Sequence, residues 1–130
     1  MVLDTSALVA VLGMEPEAER LAAAIEADPI RLVSAATLVE TGVVVEARYG
    51  PDGGRELDLL VAKAGLQVEA LTLEHARVAR EAWRRFGKGH HPASLNLGDC
   101  FSYALARTSG EPLLFKGADF SRTDVLAAPY

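Results

Sequence analysis

Apolar and polar positions alternate along the chain between short apolar runs and longer stretches of helical period. Met1-Val2-Leu3 is an apolar run that stops at Asp4, and Ser6–Leu12 is almost wholly apolar. The first predicts a strand, the second an apolar helix. Over Glu15–Ala27 the positions Ala18, Leu21, Ala22 and Ile25 share one helical face, and Pro29 closes the segment. Ile30–Ser34 reads as a strand, Leu38–Tyr49 as a helix stopped by Gly50, and Arg55–Ala64 as a helix ended by Gly65. Leu66–Leu71 alternates apolar and polar, the pattern of a half-buried strand. Leu73–Phe86 predicts a long helix ended by Gly87, and Leu97–Thr108 an apolar helix ending before Gly110. Pro112–Phe115 predicts a buried strand and Val125–Ala127 a short edge strand. The clusters Gly50–Gly54 and Gly87–Pro92 read as loops too short to be linkers.

Strands alternating with helices imply an α/β fold with a mostly parallel central sheet of four to five strands, flanked by helices. The 130 residues suit one domain spanning 1–130, with half the residues apolar and enough surface buried for one core. No run of about 18 apolar residues predicts a membrane span. Asp4 stands where an export signal would be basic, so a cytoplasmic protein is expected. The single cysteine, Cys100, excludes an intrachain disulfide and a cysteine-based zinc site, and suits a reducing compartment. Eighteen acids against thirteen bases give a formal charge of −5, which on its own argues against a nucleic-acid binder.

In parallel α/β sheets the chemistry sits outside the carboxyl ends of the strands. Asp4 follows the first strand, and Glu40 lies one turn into the helix after the second. Asp99 is in the first turn of the helix feeding the strand that ends at Phe115, and Asp119 and Asp124 come just beyond that strand. Each acid also has a capping explanation. Asp4 suits an N-cap, Thr37–Glu40 and Asn96–Asp99 fit capping boxes, and Ser121–Asp124 does so weakly. Asp119 suits a solvated turn. The apolar neighbours of Asp4, Glu40 and Asp99 favour a partly buried cluster. Two like charges 4 Å apart cost about 4 kcal/mol at an effective dielectric near 20. Protons or a divalent cation must offset that, and an all-oxygen donor set suits Mg²⁺ or Mn²⁺ over zinc.

Four segments carry a resemblance. Val2–Leu8, Ser34–Glu40, Asn96–Ala106 and Leu113–Asp124 look like the four blocks of PIN-domain ribonucleases, in family order and across nearly the whole chain. More narrowly they resemble the VapC toxins of bacterial type II toxin–antitoxin pairs. Where many relatives carry an acid, Gly117 stands here, so only Asp119 precedes the phenylalanine as an acid. The resemblance implies a PIN-like fold and a metal-dependent endoribonuclease that cleaves cellular RNA. It also implies a homodimer and a cognate antitoxin that neutralises it. Asp4, Glu40, Asp99 and Asp119 would then hold one or two Mg²⁺ or Mn²⁺ ions for phosphodiester hydrolysis. Thr5, Ser6, Asn96 and Asp124 are expected to support them or to cap helices. Arg84, Arg85, Lys88, Lys116 and Arg122 are candidate RNA-phosphate contacts, and Arg77 and Arg80 extend the same positive run.

Other residues read plainly. His75 is expected to be solvated. His90 and His91 are adjacent in a loop and unsuited to a shared metal. Cys100 reads as a buried thiol. Trp83 and Phe86, in the helix with Arg80, Arg84 and Arg85, suit core with a solvated face, a partner groove or an RNA-facing basic patch. The helices over Leu8–Ile25 and Arg55–Ala64 look apolar enough for a dimer face or an antitoxin groove. Two other enzyme or signalling readings fail on single residues. A haloacid-dehalogenase-type phosphohydrolase needs an acid where Ser6 stands, and a receiver-like domain needs one at Leu71-Thr72-Leu73. A catalytically inactive PIN-like binding module and a Mg-dependent phosphohydrolase with an acidic α/β site remain the alternatives.

Overall fold

The computed structural model describes all 130 residues. Four parallel strands, β1 (Val2–Leu3), β2 (Leu32–Ser34), β3 (Gln67–Glu69) and β4 (Leu113–Leu114), form one sheet in the order β3-β2-β1-β4. Six helices surround it: α1 (Thr5–Leu12), α2 (Ala18–Ala27), α3 (Ala35–Tyr49), α4 (Pro51–Lys63), α5 (Leu73–Phe86) and α6 (Leu97–Ser109). The expected edge strand at Val125–Ala127 contracts to one parallel bridge between Leu113 and Ala127.

Alternate strand residues feed two separate cores, as the pleat requires. Val2, Leu32 and Leu113 pack with Ala82, Phe86, Leu95, Tyr103 and Leu105, under α5 and α6. Leu3, Val33 and Leu114 face the other way, against Ala7, Leu8, Leu21, Ile25 and Leu66. Both faces being covered, β1, β2 and β4 read as continuous apolar runs. At the open edge, β3 differs from expectation. Gln67 and Val68 are exposed and Glu69 is only partly covered, so the alternation there is not an inside–outside pattern. No helix is long and apolar enough to cross a membrane.

Several helices start earlier than the apolar pattern alone implies. Ser34 caps α3 by accepting from the Ala36 N–H, so that helix begins three residues before Leu38. Helix α4 begins at Pro51, where proline is favoured because the first-turn N–H has no partner. The Gly53-Gly54 pair is therefore helical and not a loop. A Cβ on Gly53 would lie 2.5 Å from the Val45 carbonyl oxygen, so glycine lets α4 approach α3 closely. Helix α2 starts later, at Ala18. His75 is buried, contrary to expectation. It is the third residue of α5, and its Nδ1 faces the Thr72 N–H while Thr72 Oγ1 accepts from the His75 N–H.

Candidate active site

All four strands run the same way, so their carboxyl ends share one rim. The chain runs outward from β1 through β2 to β3, then returns to the far side of β1 as β4. The reversal lies between β1 and β4, where crevices form in open α/β sheets.

Asp4 stands at that point, one residue past β1. It is only 3% exposed. Its Oδ2 accepts from the Ser6 N–H at 2.9 Å and from the Ser6 hydroxyl at 2.6 Å, which caps α1. Its Oδ1 is buried with no hydrogen-bond partner. An orphaned buried carboxylate oxygen costs at least about 1–3 kcal/mol, so capping alone does not account for this residue. Ser6 does a second job. Its Oγ accepts from the Lys116 N–H at 3.0 Å, tying the chain just beyond β4 to the Asp4 carboxylate.

Glu40 reaches the same rim from the second turn of α3. Because Ser34 is the cap, Thr37 and Glu40 form no capping box. Thr37 is buried inside the helix, its hydroxyl 3.2 Å from that of Ser102. The Glu40 carboxylate lies on Gly98 in α6. A Cβ on Gly98 would sit 1.6 Å from Glu40 Oε2 and 2.4 Å from its carboxyl carbon. Only glycine leaves room there, and the sequence carries no local sign of it.

Asp99 follows Gly98 in the first turn of α6. Asn96 and Asp99 form the expected capping box, each side chain accepting the other's backbone N–H at 2.9 Å. Burial pushes Asp99 up from an ordinary value of 3.8 to about 7. The Asn96 N–H opposes that shift, and the charges of Asp4, Asp119 and Glu40 add to it. Three acids from three other segments thus act on Asp99 electrostatically. As they stand, no three of these four close into a ligand set. Asp119 is exposed at the head of a 3₁₀ turn, Phe120–Arg122, and makes no side-chain capping bond. Gly117 before it has φ +105°, a left-handed conformation that an aspartate there would hold only under strain.

The supporting residues divide. Ser6 and Asn96 touch Asp4 and Asp99 respectively. Thr5 turns to α3, where its Oγ1 lies 3.3 Å from the Thr41 hydroxyl that donates to it. Asp124 is neither a cap nor a neighbour of these acids in its bonding. It accepts from the Tyr103 hydroxyl at 2.6 Å and pairs with Arg85 at 3.0 Å, holding the C-terminal segment to α5 and α6. Three of the candidate phosphate contacts are already engaged. Arg85 pairs with Asp124, Lys116 with Glu15 and Glu17, and Arg122 donates to the Pro92 carbonyl at 3.1 Å. Arg84 and Lys88 are exposed and form no ion pair. Cys100 is buried, and burial, then the Asp99 charge, pushes its thiol up to about 11. It is an inert core thiol.

The residues fit a divalent cation on the strength of the orphaned Asp4 oxygen, the Gly98 cradle for Glu40 and an all-carboxylate donor set. Comparison with known proteins bears out the family resemblance of the four blocks. Residues 1–126 match the PIN domain family. The chain is 58% identical over 125 residues to VapC ribonuclease Mb0640 of Mycobacterium bovis, covering 96% of this chain and 95% of that one. It is 56% identical over 127 residues to Ribonuclease VapC of Mycolicibacterium smegmatis, covering 98% of each. In three dimensions it resembles Mycobacterium tuberculosis VapC20, described as a sarcin–ricin loop cleaving toxin. That match has a TM-score of 0.79 at 22% identity, over 96% of this chain and 95% of the other. A toxin–antitoxin complex from Klebsiella pneumoniae gives 0.73 at 18% identity, over 99% and 97%. With a family match across almost its whole length and relatives more than half identical, this chain belongs to the PIN-domain family, among its VapC ribonucleases.

Proposed function

We propose that the chain is a divalent-metal-dependent endoribonuclease toxin, neutralised by a cognate antitoxin. The observation that carries this is the buried Asp4 carboxylate, with one oxygen unpartnered, at the rim where the charges of Asp4, Asp119 and Glu40 act on Asp99. Asp4, Glu40, Asp99 and Asp119 would hold one or two Mg²⁺ or Mn²⁺ ions. When bound, such an ion offsets the mutual repulsion of the acids, activates water and stabilises charge on a phosphoryl oxygen.

The chain's own groups prepare that chemistry. Ser6 fixes Asp4 by holding Oδ2, which leaves Oδ1 without a partner. The Asn96 N–H holds Asp99 Oδ2. Gly98 keeps Glu40 against α6. Hydrolysis forms one P–O bond from water and breaks another, and the departing oxygen takes a proton.

Two further features support the partner reading. Val39 and Val43, on either side of Glu40 in sequence and one turn apart on α3, are 68% and 64% exposed. Such apolar surface beside a catalytic acid suits a protein that covers the site. On Leu8–Ile25 and Arg55–Ala64 the large apolar side chains are buried or partly covered, with Met14 and Leu59 left exposed for a second copy or an antitoxin.

The test is incubation with total RNA plus Mg²⁺ or Mn²⁺, with an EDTA control, and mapping of the new ends. Metal-dependent cleavage that falls by orders of magnitude in Asp4→Asn is expected. Equal cleavage by that variant would sink the assignment.

A further inference from the structure

A groove of about 550 Å³ runs between α5 and α6, lined by Ala76, Ala79, Trp83, Leu97 and Phe101, with Arg80 and Arg84 at its edge. It lies outside the acidic rim. Leu97 and Phe101 point to it from one side of the first turns of α6. Asp99 lies about half a turn round the same helix. The groove and the acids are therefore about one helix diameter, roughly 10 Å, apart.

Trp83 is 49% exposed, yet its ring is held. The His90 ring meets it edge-on at 4.8 Å and 77°. His90 Nε2 lies 2.8 and 3.1 Å from the carbonyl oxygens of Trp83 and Arg84, which fixes the imidazole to the end of α5. The indole's pyrrole edge lies over Gly87. A Cβ there would be 2.8 Å from Trp83 Cδ1 and 2.9 Å from Nε1. A large aromatic ring is thus locked in place at the surface, with its ordering entropy already spent.

The charge beside it runs against the chain's balance. Arg77, Arg80 and Arg84 recur at helical spacing along one strip of α5, and Lys88 follows just past its end. All four are exposed and none joins an ion pair, in a chain of formal charge −5. A ligand matching both features carries negative charges at intervals and flat apolar groups between them. Single-stranded nucleic acid has that chemistry: phosphates for the guanidinium groups, a base for the indole face.

Building on the ribonuclease reading, we propose that the α5–α6 groove is a base-stacking subsite of the RNA track, holding an unstacked nucleotide that flanks the scissile phosphate. Trp83 is its platform, and Arg80 and Arg84 hold the adjoining phosphates.

Trp83 is the sole tryptophan, so its emission reports on this groove alone. The full chain in EDTA is titrated with a labelled mixed-sequence single-stranded RNA of about ten nucleotides. Anisotropy follows binding and Trp83 emission follows stacking. The expected result is saturable quenching that tracks binding, with no quenching by an abasic oligomer of equal charge. Trp83→Leu should bind the base-bearing RNA about tenfold more weakly, within the range of one base–aromatic stack, and the abasic oligomer unchanged. RNA that binds by anisotropy and leaves Trp83 emission unaltered would overturn the subsite and spare the ribonuclease reading. No binding, together with no metal-dependent cleavage of total RNA, would overturn both. Emission that shifts with protein concentration and not with RNA would assign the groove to a second copy of the chain, against the proposal.

Discussion

Removing the charge of Asp99 should stabilise the protein when metal is absent. In Asp99→Asn the amide oxygen still accepts from the Asn96 N–H, so the capping box survives while the charge goes. Burial, reinforced by Asp4, Asp119 and Glu40, raises Asp99 from 3.8 to about 7. A raised carboxylate means that the folded chain keeps a proton the unfolded chain has lost. Stability therefore falls as pH rises from about 4 to about 7 and levels off above that. The full displacement corresponds to about 4 kcal/mol. Asp99 is only partly buried and solvent screens it, which brings the penalty down to about 1–2 kcal/mol. The α6 dipole returns about 0.5 kcal/mol to the charged form. Urea denaturation in EDTA should thus find Asp99→Asn more stable than the native chain by about 1 kcal/mol near pH 8. Near pH 4 the difference should almost vanish. Excess Mg²⁺ should reverse the order, because ligand binding stabilises only the chain that retains the donor. A difference that is absent, or equal at both pH values, would refute the electrostatic account of this rim.

Gly98→Ala should displace Glu40 and lower cleavage about 10–100-fold. Its melting temperature should hold, since alanine favours a helix by up to about 1 kcal/mol over glycine; full activity would show that Glu40 does not need that place. Ser6→Ala loses the hydroxyl joining Asp4 to the Lys116 N–H. Urea melts should show a loss of about 1–2 kcal/mol, and a metal titration of cleavage a requirement raised about tenfold. Asp124→Asn should cost about 1 kcal/mol through weakened bonds to Tyr103 and Arg85. The metal dependence of cleavage should not move; a shifted requirement would return Asp124 to the site.

Much of the architecture was legible in the linear pattern, because it rests on local rules. Short apolar runs marked β1, β2 and β4, since strands covered on both faces need apolar residues. Asn96 and Asp99 announced their capping box because both partners lie within one turn. The rule that parallel sheets work at their carboxyl ends pointed to Asp4, Glu40, Asp99, Asp119 and Asp124 as candidates, and the PIN-like block order named the family. Tertiary structure decided what depends on chain segments distant in sequence. Whether Glu40 capped a helix or joined the rim turned on Ser34 starting α3 early and on Gly98 making room from α6. Asp124, a fifth acid in the same block, was drawn instead to Tyr103 and Arg85. Gly53-Gly54 looked like a loop but lies in the helix that Pro51 starts, and glycine is needed at 53 because α3 passes within a methyl group's reach. His75 was buried by packing that its own neighbours did not foretell. Even the −5 charge changed meaning: four of the 18 acids share the rim, while an unpaired basic strip lies along α5. Helix caps and strand patterns act over a few residues and can be read in one dimension. Burial, close approach and charge coupling act through space, and only the fold sets those distances.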